Sequence, residues 1–145
     1  MSTYAARRAI FLSRDQVRIL HSDGFTIGAH AMRHLPFQRA SEAEIEREIV
    51  ESCATVRDVT GQPRVPFAFP YGAKGISRAF LAAVRARNDF VDLIFDAEGI
   101  ERDDPFVVQR LWSDIPSPSG GRETNLPEIV RRGFARRAAW YRDAP

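Results

Sequence analysis

His30 and His34 stand four residues apart in the stretch GFTIGAHAMRHLPF, residues 24–37 of a 145-residue chain that has only three histidines. Two imidazoles at this spacing have the chemistry of a divalent-metal site, because Zn²⁺ takes neutral imidazole nitrogens at about 2.0–2.1 Å. In an extended strand the two residues would lie about 13 Å apart, too far to share one ion. A curl of roughly one turn after His30 would bring their Cα atoms to about 6 Å, which suits a common metal. Ala31, Met32 and Arg33 permit such a curl, and Pro36 stops it from growing into a long helix. A polar loop with two unrelated histidines is also compatible with the spacing. The residue after His30 is Ala31 rather than Glu, which excludes the HExxH metalloprotease pattern. His21 falls within a predicted helix and reads as a surface residue.

The elements around the pair alternate between helix and strand. Ser13 and Gln16 make a capping box, Val17 and Leu20 an apolar face, and Gly24 can close this first helix. Residues 25–30 read as a short strand ending at His30. Ser41 and Glu44 form a second capping box. Ile45, Ile49, Cys53 and Val56 then recur at helical spacing up to Gly61. VPFAFPYG reads as a strand stiffened by Pro70 and released at Gly72, and residues 77–87 as a helix with Phe80, Leu81 and Val84 inward. Strands are predicted over 90–95 and 106–112, then a Pro/Gly/Ser-rich loop. A last helix is predicted over 125–141, capped by Asn125 with Pro127 in its first turn. This alternation argues for a parallel α/β sheet or barrel. Ligands in such folds bind beyond the carboxyl ends of the strands. His30, Tyr71, Gly72, Trp112 and Asp114 all fall at such ends and are expected on one rim.

The length fits one domain with a single core. A net charge of +2 gives no electrostatic footprint for nucleic acid, and Lys74 is the only basic residue that is not arginine, which reads as coding bias. Arg131, Arg132, Arg136 and Arg137 are expected on the solvated side of the last helix. Cys53 excludes an intrachain disulfide framework and reads as a packing residue. With no apolar run of membrane-spanning length and no persuasive signal peptide, the expectation is a cytoplasmic chain with no membrane and no nucleic-acid partner.

Three stretches, in order, resemble the polysaccharide deacetylase family, the NodB-like carbohydrate esterases. FLSRDQVRILHSDGFTIGAHAMRH is similar to that family's run through GxxIGxH into an H-x-x-x-H metal motif. SEAEIEREIVESCATVRDVTGQPRVPFAFPYG resembles its long helix, T-G turn and F-A-x-P-Y-G motif, and DPFVVQRLWSD its closing strand. The resemblance implies an α/β fold: a partial distorted (β/α) barrel of the NodB type, lacking the first strands, over residues 11–145 behind a lead-in at 1–12. It implies a divalent metal, zinc foremost, on His30 and His34, and hydrolysis of the acetamido C–N bond of an N-acetylated carbohydrate. Tyr71 matches the tyrosine whose backbone N–H donates to the oxyanion. Phe69, Tyr71 and Trp112 are candidates for a sugar platform.

The sequence departs from the family pattern in several places. The T-F-D-D motif, source of the base aspartate and a third metal ligand, has no counterpart ahead of the histidines. Asp103 and Asp104 come too late to replace it. Ala31 and Leu35 stand where the family has Ser/Thr and Pro, and Ala68 where it often has Arg. No histidine follows His34 to serve as the acid. Asp96 and Asp114 lie near strand ends as possible substitutes, or as solvated loop residues. The expectation is a chain weak or inactive by itself: a fragment, a chain with a misplaced start, a non-catalytic remnant binding glycan or protein, or one half of an assembly in which a partner chain supplies the missing strands.

Overall fold

The computed structural model describes residues 11–97 and 103–110, together with Pro127 and Arg131, both helical. The predictions for 1–10 and 111–126, and all but two residues of the last predicted helix, lie outside the described residues. Helix α1 spans Arg14–Ser22, helix α2 Glu42–Thr60 and strand β1 Val65–Ala68. Helix α3 spans Arg78–Arg87, strand β2 Val91–Asp96 and strand β3 Val107–Gln109. Each helix starts where local chemistry dictates. The Ser13–Gln16 and Ser41–Glu44 capping boxes both form, and the Ser77 side chain accepts from the Phe80 N–H. Gly61 closes α2 in the left-handed region at φ 75°.

The strands form a parallel sheet in the order β1-β2-β3, with α3 as the crossover between the first two. Alternation along β1 sends Val65 and Phe67 to one face, where Ile45, Ile49 and Cys53 of α2 and Leu81 and Val84 of α3 complete the core. Burial pushes the Cys53 thiol up to about 12, so it remains a neutral packing group. The sheet is the three-stranded parallel part of an α/β fold, compatible with a portion of a NodB-like domain; a closed barrel is not seen among the described residues. No described helix is long and apolar enough to cross a membrane.

The strand expected over 25–30 is reduced to a single parallel bridge between Ala29 and Phe67. The reason lies in where the backbone groups of this segment find partners. The Gln62 side-chain amide donates to Ile27 O at 2.8 Å and accepts from Ile27 N at 3.3 Å, standing in for a neighbouring strand. Phe25 N donates back to Leu20 O, and Phe25 O accepts from His21 Nδ1. Within this segment the backbone groups that bond β1 are those of Ala29, donating to Pro66 O and accepting from Ala68 N, both at 2.8 Å.

Candidate metal centre

That one bridge places His30 beside the end of β1. Its Nδ1 lies 2.8 Å from Ala68 O, and a carbonyl can only accept. Nδ1 therefore carries the proton, and in the neutral ring Nε2 is the nitrogen with the lone pair. This is the arrangement in which a metal-binding histidine is oriented by a carbonyl on its other ring nitrogen.

The chain then curls, although not as a helical turn. Ala31 and His34 are both left-handed, at φ 64° and 52°. Each such non-glycine residue costs roughly 1–2 kcal/mol. Glu48, reaching up from α2, offsets that cost. Its Oε2 accepts from the N–H groups of Met32 and Arg33 at 2.9 and 3.0 Å, and its Oε1 pairs with Arg33 Nε. Hydrogen bonds to a charged group contribute about 1.5–3 kcal/mol each, so the two backbone bonds alone are of the size required. Burial works to raise the Glu48 carboxyl, but the Arg33 side chain and the two N–H donors outweigh it and hold it below the usual carboxylate range. Downstream, the loop is anchored by Phe37, which is buried with its ring 5.5 Å from that of Phe69 and edge-on to it.

The two imidazoles end up in contact, edge to face. Their ring centroids are 4.9 Å apart at an interplanar angle of 69°. Two histidines on one tetrahedral Zn²⁺ would place their centroids about 5 Å apart, given the usual Zn–N length. The separation of the pair suits a shared divalent ion, and His30 is held in the tautomer that such a ligand needs. Among the described residues, no group of three or more His, Cys, Asp or Glu side chains could hold an ion.

Tyr71 completes the cluster. Its ring lies 5.1 Å from that of His34, edge to face, and the residue is 50 % exposed. Its N–H pairs with no acceptor among the described residues. The turn that carries it is fixed on both sides. Phe69 N donates to Phe95 O, Phe69 O accepts from the Arg110 guanidinium at 2.8 Å, and Ala73 N donates to Asp96 Oδ1 at 2.7 Å. Gly72, at φ 92°, supplies the conformation a side chain would resist.

Some expected site residues lie elsewhere. Phe69 is 0 % exposed and packs edge-on against Phe67 at 5.1 Å, so its ring belongs to the core and not to a sugar platform. Trp112 and Asp114 lie outside the described residues. Asp96 is neither solvated nor an acid at the rim. It is fully buried and accepts from Ala73 N, Ala97 N and Arg78. Asp103 pairs with the same arginine and accepts from Gln109 Nε2 at 2.6 Å. Burial tends to raise its carboxyl, but Arg78, the Asp104 N–H and Gln109 together hold it below the usual range. Glu48 was missed in the sequence, although it sits at a position of α2 that shares the apolar stripe.

A family model described as polysaccharide deacetylase matches residues 2–88. The match takes in His30, His34, Glu48 and Tyr71, and ends before β2, so the likeness seen in DPFVVQRLWSD lies outside it. Searches of curated proteins and of solved structures gave no match.

Proposed function

The chain belongs to the polysaccharide deacetylase family, and on that premise we propose that it serves metal-dependent removal of acetyl groups from N-acetylated amino sugars, with His30 and His34 holding a divalent ion, zinc foremost. The observation that carries this reading is the pair of rings in contact beside the Tyr71 turn. Family membership supports a carbohydrate substrate and a hydrolase acting on the acetamido C–N bond. A divalent ion bound there would supply polarisation of the amide carbonyl and a more acidic water. In this reading the chain's own residues present and orient. Ala68 O holds His30 with Nε2 free. The Tyr71 N–H donates to the carbonyl oxygen as negative charge gathers on it. The half-exposed Tyr71 ring offers a face to the sugar. A third ligand and a base carboxylate come, in this proposal, from protein outside the described residues, on this polypeptide or on a partner chain.

The lack of a third ligand among the described residues favours a second reading, a non-catalytic form that binds glycan or a protein partner. Acetate release from N-acetylglucosamine oligomers, followed with and without added Zn²⁺, separates the two. The deacetylase reading expects slow, zinc-dependent release that disappears in His30→Ala and His34→Ala. Zinc uptake and oligomer binding with no acetate released would leave the non-catalytic reading standing.

A further inference from the structure

We infer that Glu48 is a positioning residue for the histidine pair: from the buried face of α2, its carboxylate holds the loop between His30 and His34 and brings the two rings together before any ion arrives. The inference rests on the reading of that pair as a metal centre. Three observations carry it. A single oxygen, Oε2, accepts both consecutive N–H groups of the loop, at 2.9 and 3.0 Å. The two residues it grips, Met32 and Arg33, lie between the two left-handed residues, so the grip falls where the loop is most strained. The carboxylate itself is enclosed, with Glu48 only 3 % exposed on a helix face shared with Ile45, Ile49, Ser52 and Cys53. An acid enclosed there without partners would be costly.

The ion pair with Arg33 is the weaker part of the device, because that side chain is 49 % exposed. The backbone bonds define the loop. A ligand pair oriented in advance binds its ion more tightly, and loss of such supporting contacts typically lowers metal affinity about 10–100-fold.

Two measurements on the whole chain test this: Zn²⁺ titration by calorimetry, and amide hydrogen exchange on the metal-free protein. Glu48→Ala is expected to weaken Zn²⁺ binding about 10–100-fold. It should also remove protection from the Met32 and Arg33 amides, while the Ile49 and Cys53 amides keep theirs and report that α2 is folded. Glu48→Gln keeps an oxygen where Oε2 sits but gives up its charge, so it should fall between the parent and Glu48→Ala, whereas Arg33→Ala keeps both backbone bonds and should stay within about threefold of the parent. The inference is overturned if Glu48→Ala binds Zn²⁺ as tightly as the parent, if its Met32 and Arg33 amides stay protected, or if Glu48→Gln loses as much as Glu48→Ala. A parent chain that takes up no Zn²⁺ overturns the metal reading itself, and the exchange data alone then decide the clamp.

Discussion

Replacing His30 with alanine is expected to weaken Zn²⁺ binding by about 100-fold or more, on the order of 3 kcal/mol. In the proposed centre the two imidazoles are the histidine ligands that the described residues offer. His30 is also the one whose free nitrogen is fixed in advance, by the bond from its Nδ1 to Ala68 O. On the proposed reading, truncation removes one of the two histidine donors and leaves His34 as the remaining one among the described residues. The fold should tolerate the change, because His30 is exposed and water can reach the carbonyl it leaves behind. His34→Ala should weaken binding to a similar degree. His21→Ala serves as the control, since that ring bonds Phe25 O at the end of α1 and lies outside the pair. Calorimetric titration of the three variants gives the comparison. Equal affinity in His21→Ala and His30→Ala would remove any special standing from the pair.

Asp96→Ala is expected to lower stability by about 3 kcal/mol, read as the shift of the urea midpoint. The carboxylate is fully buried at the end of β2 and has three donors: the N–H groups of Ala73 and Ala97, and the Arg78 guanidinium. Its removal leaves a half-buried arginine with one carboxylate in place of two, and frees the turn after Tyr71. Asp103 keeps its own bonds to Arg78, which limits the loss. The same network makes stability pH-dependent. The folded pKa of Asp103 lies below its unfolded one. Its contribution is therefore present above the ordinary Asp range and lost as pH falls through the depressed value. The urea midpoint should fall on acidification through that window, and the part of the fall due to Asp103 should vanish in Asp103→Asn.

What could be read in the sequence was what is decided locally. Both capping boxes, the α2 stripe and the apolar runs of β1 and β2 depend on neighbours within a few residues, and all of them form. The histidine pair was legible as a spacing, but its curl was not. Two left-handed non-glycine residues are costly, and the carboxylate that offsets the cost comes from α2. A signal for that carboxylate was available: positions 45, 48, 49, 52 and 53 share one helix face, and an acid among them asks for a partner. Phe69 could have been read the same way. It follows Val65 and Phe67 at intervals of two, which puts it on the core side even though the motif suggested a rim. The missing strand at 25–30 had no local signal, because the Gln62 amide that replaces its partner lies 35 residues away.

The most direct test of the central claim is the ¹H–¹⁵N spectrum of the imidazole nitrogens, recorded as Zn²⁺ is added. The His30 and His34 signals should move together at one equivalent, with His30 Nε2 taking the shift of a metal-bound nitrogen and its Nδ1 still protonated against Ala68 O. Rings that titrate separately, or a His30 whose Nδ1 loses its proton to the ion, would contradict it.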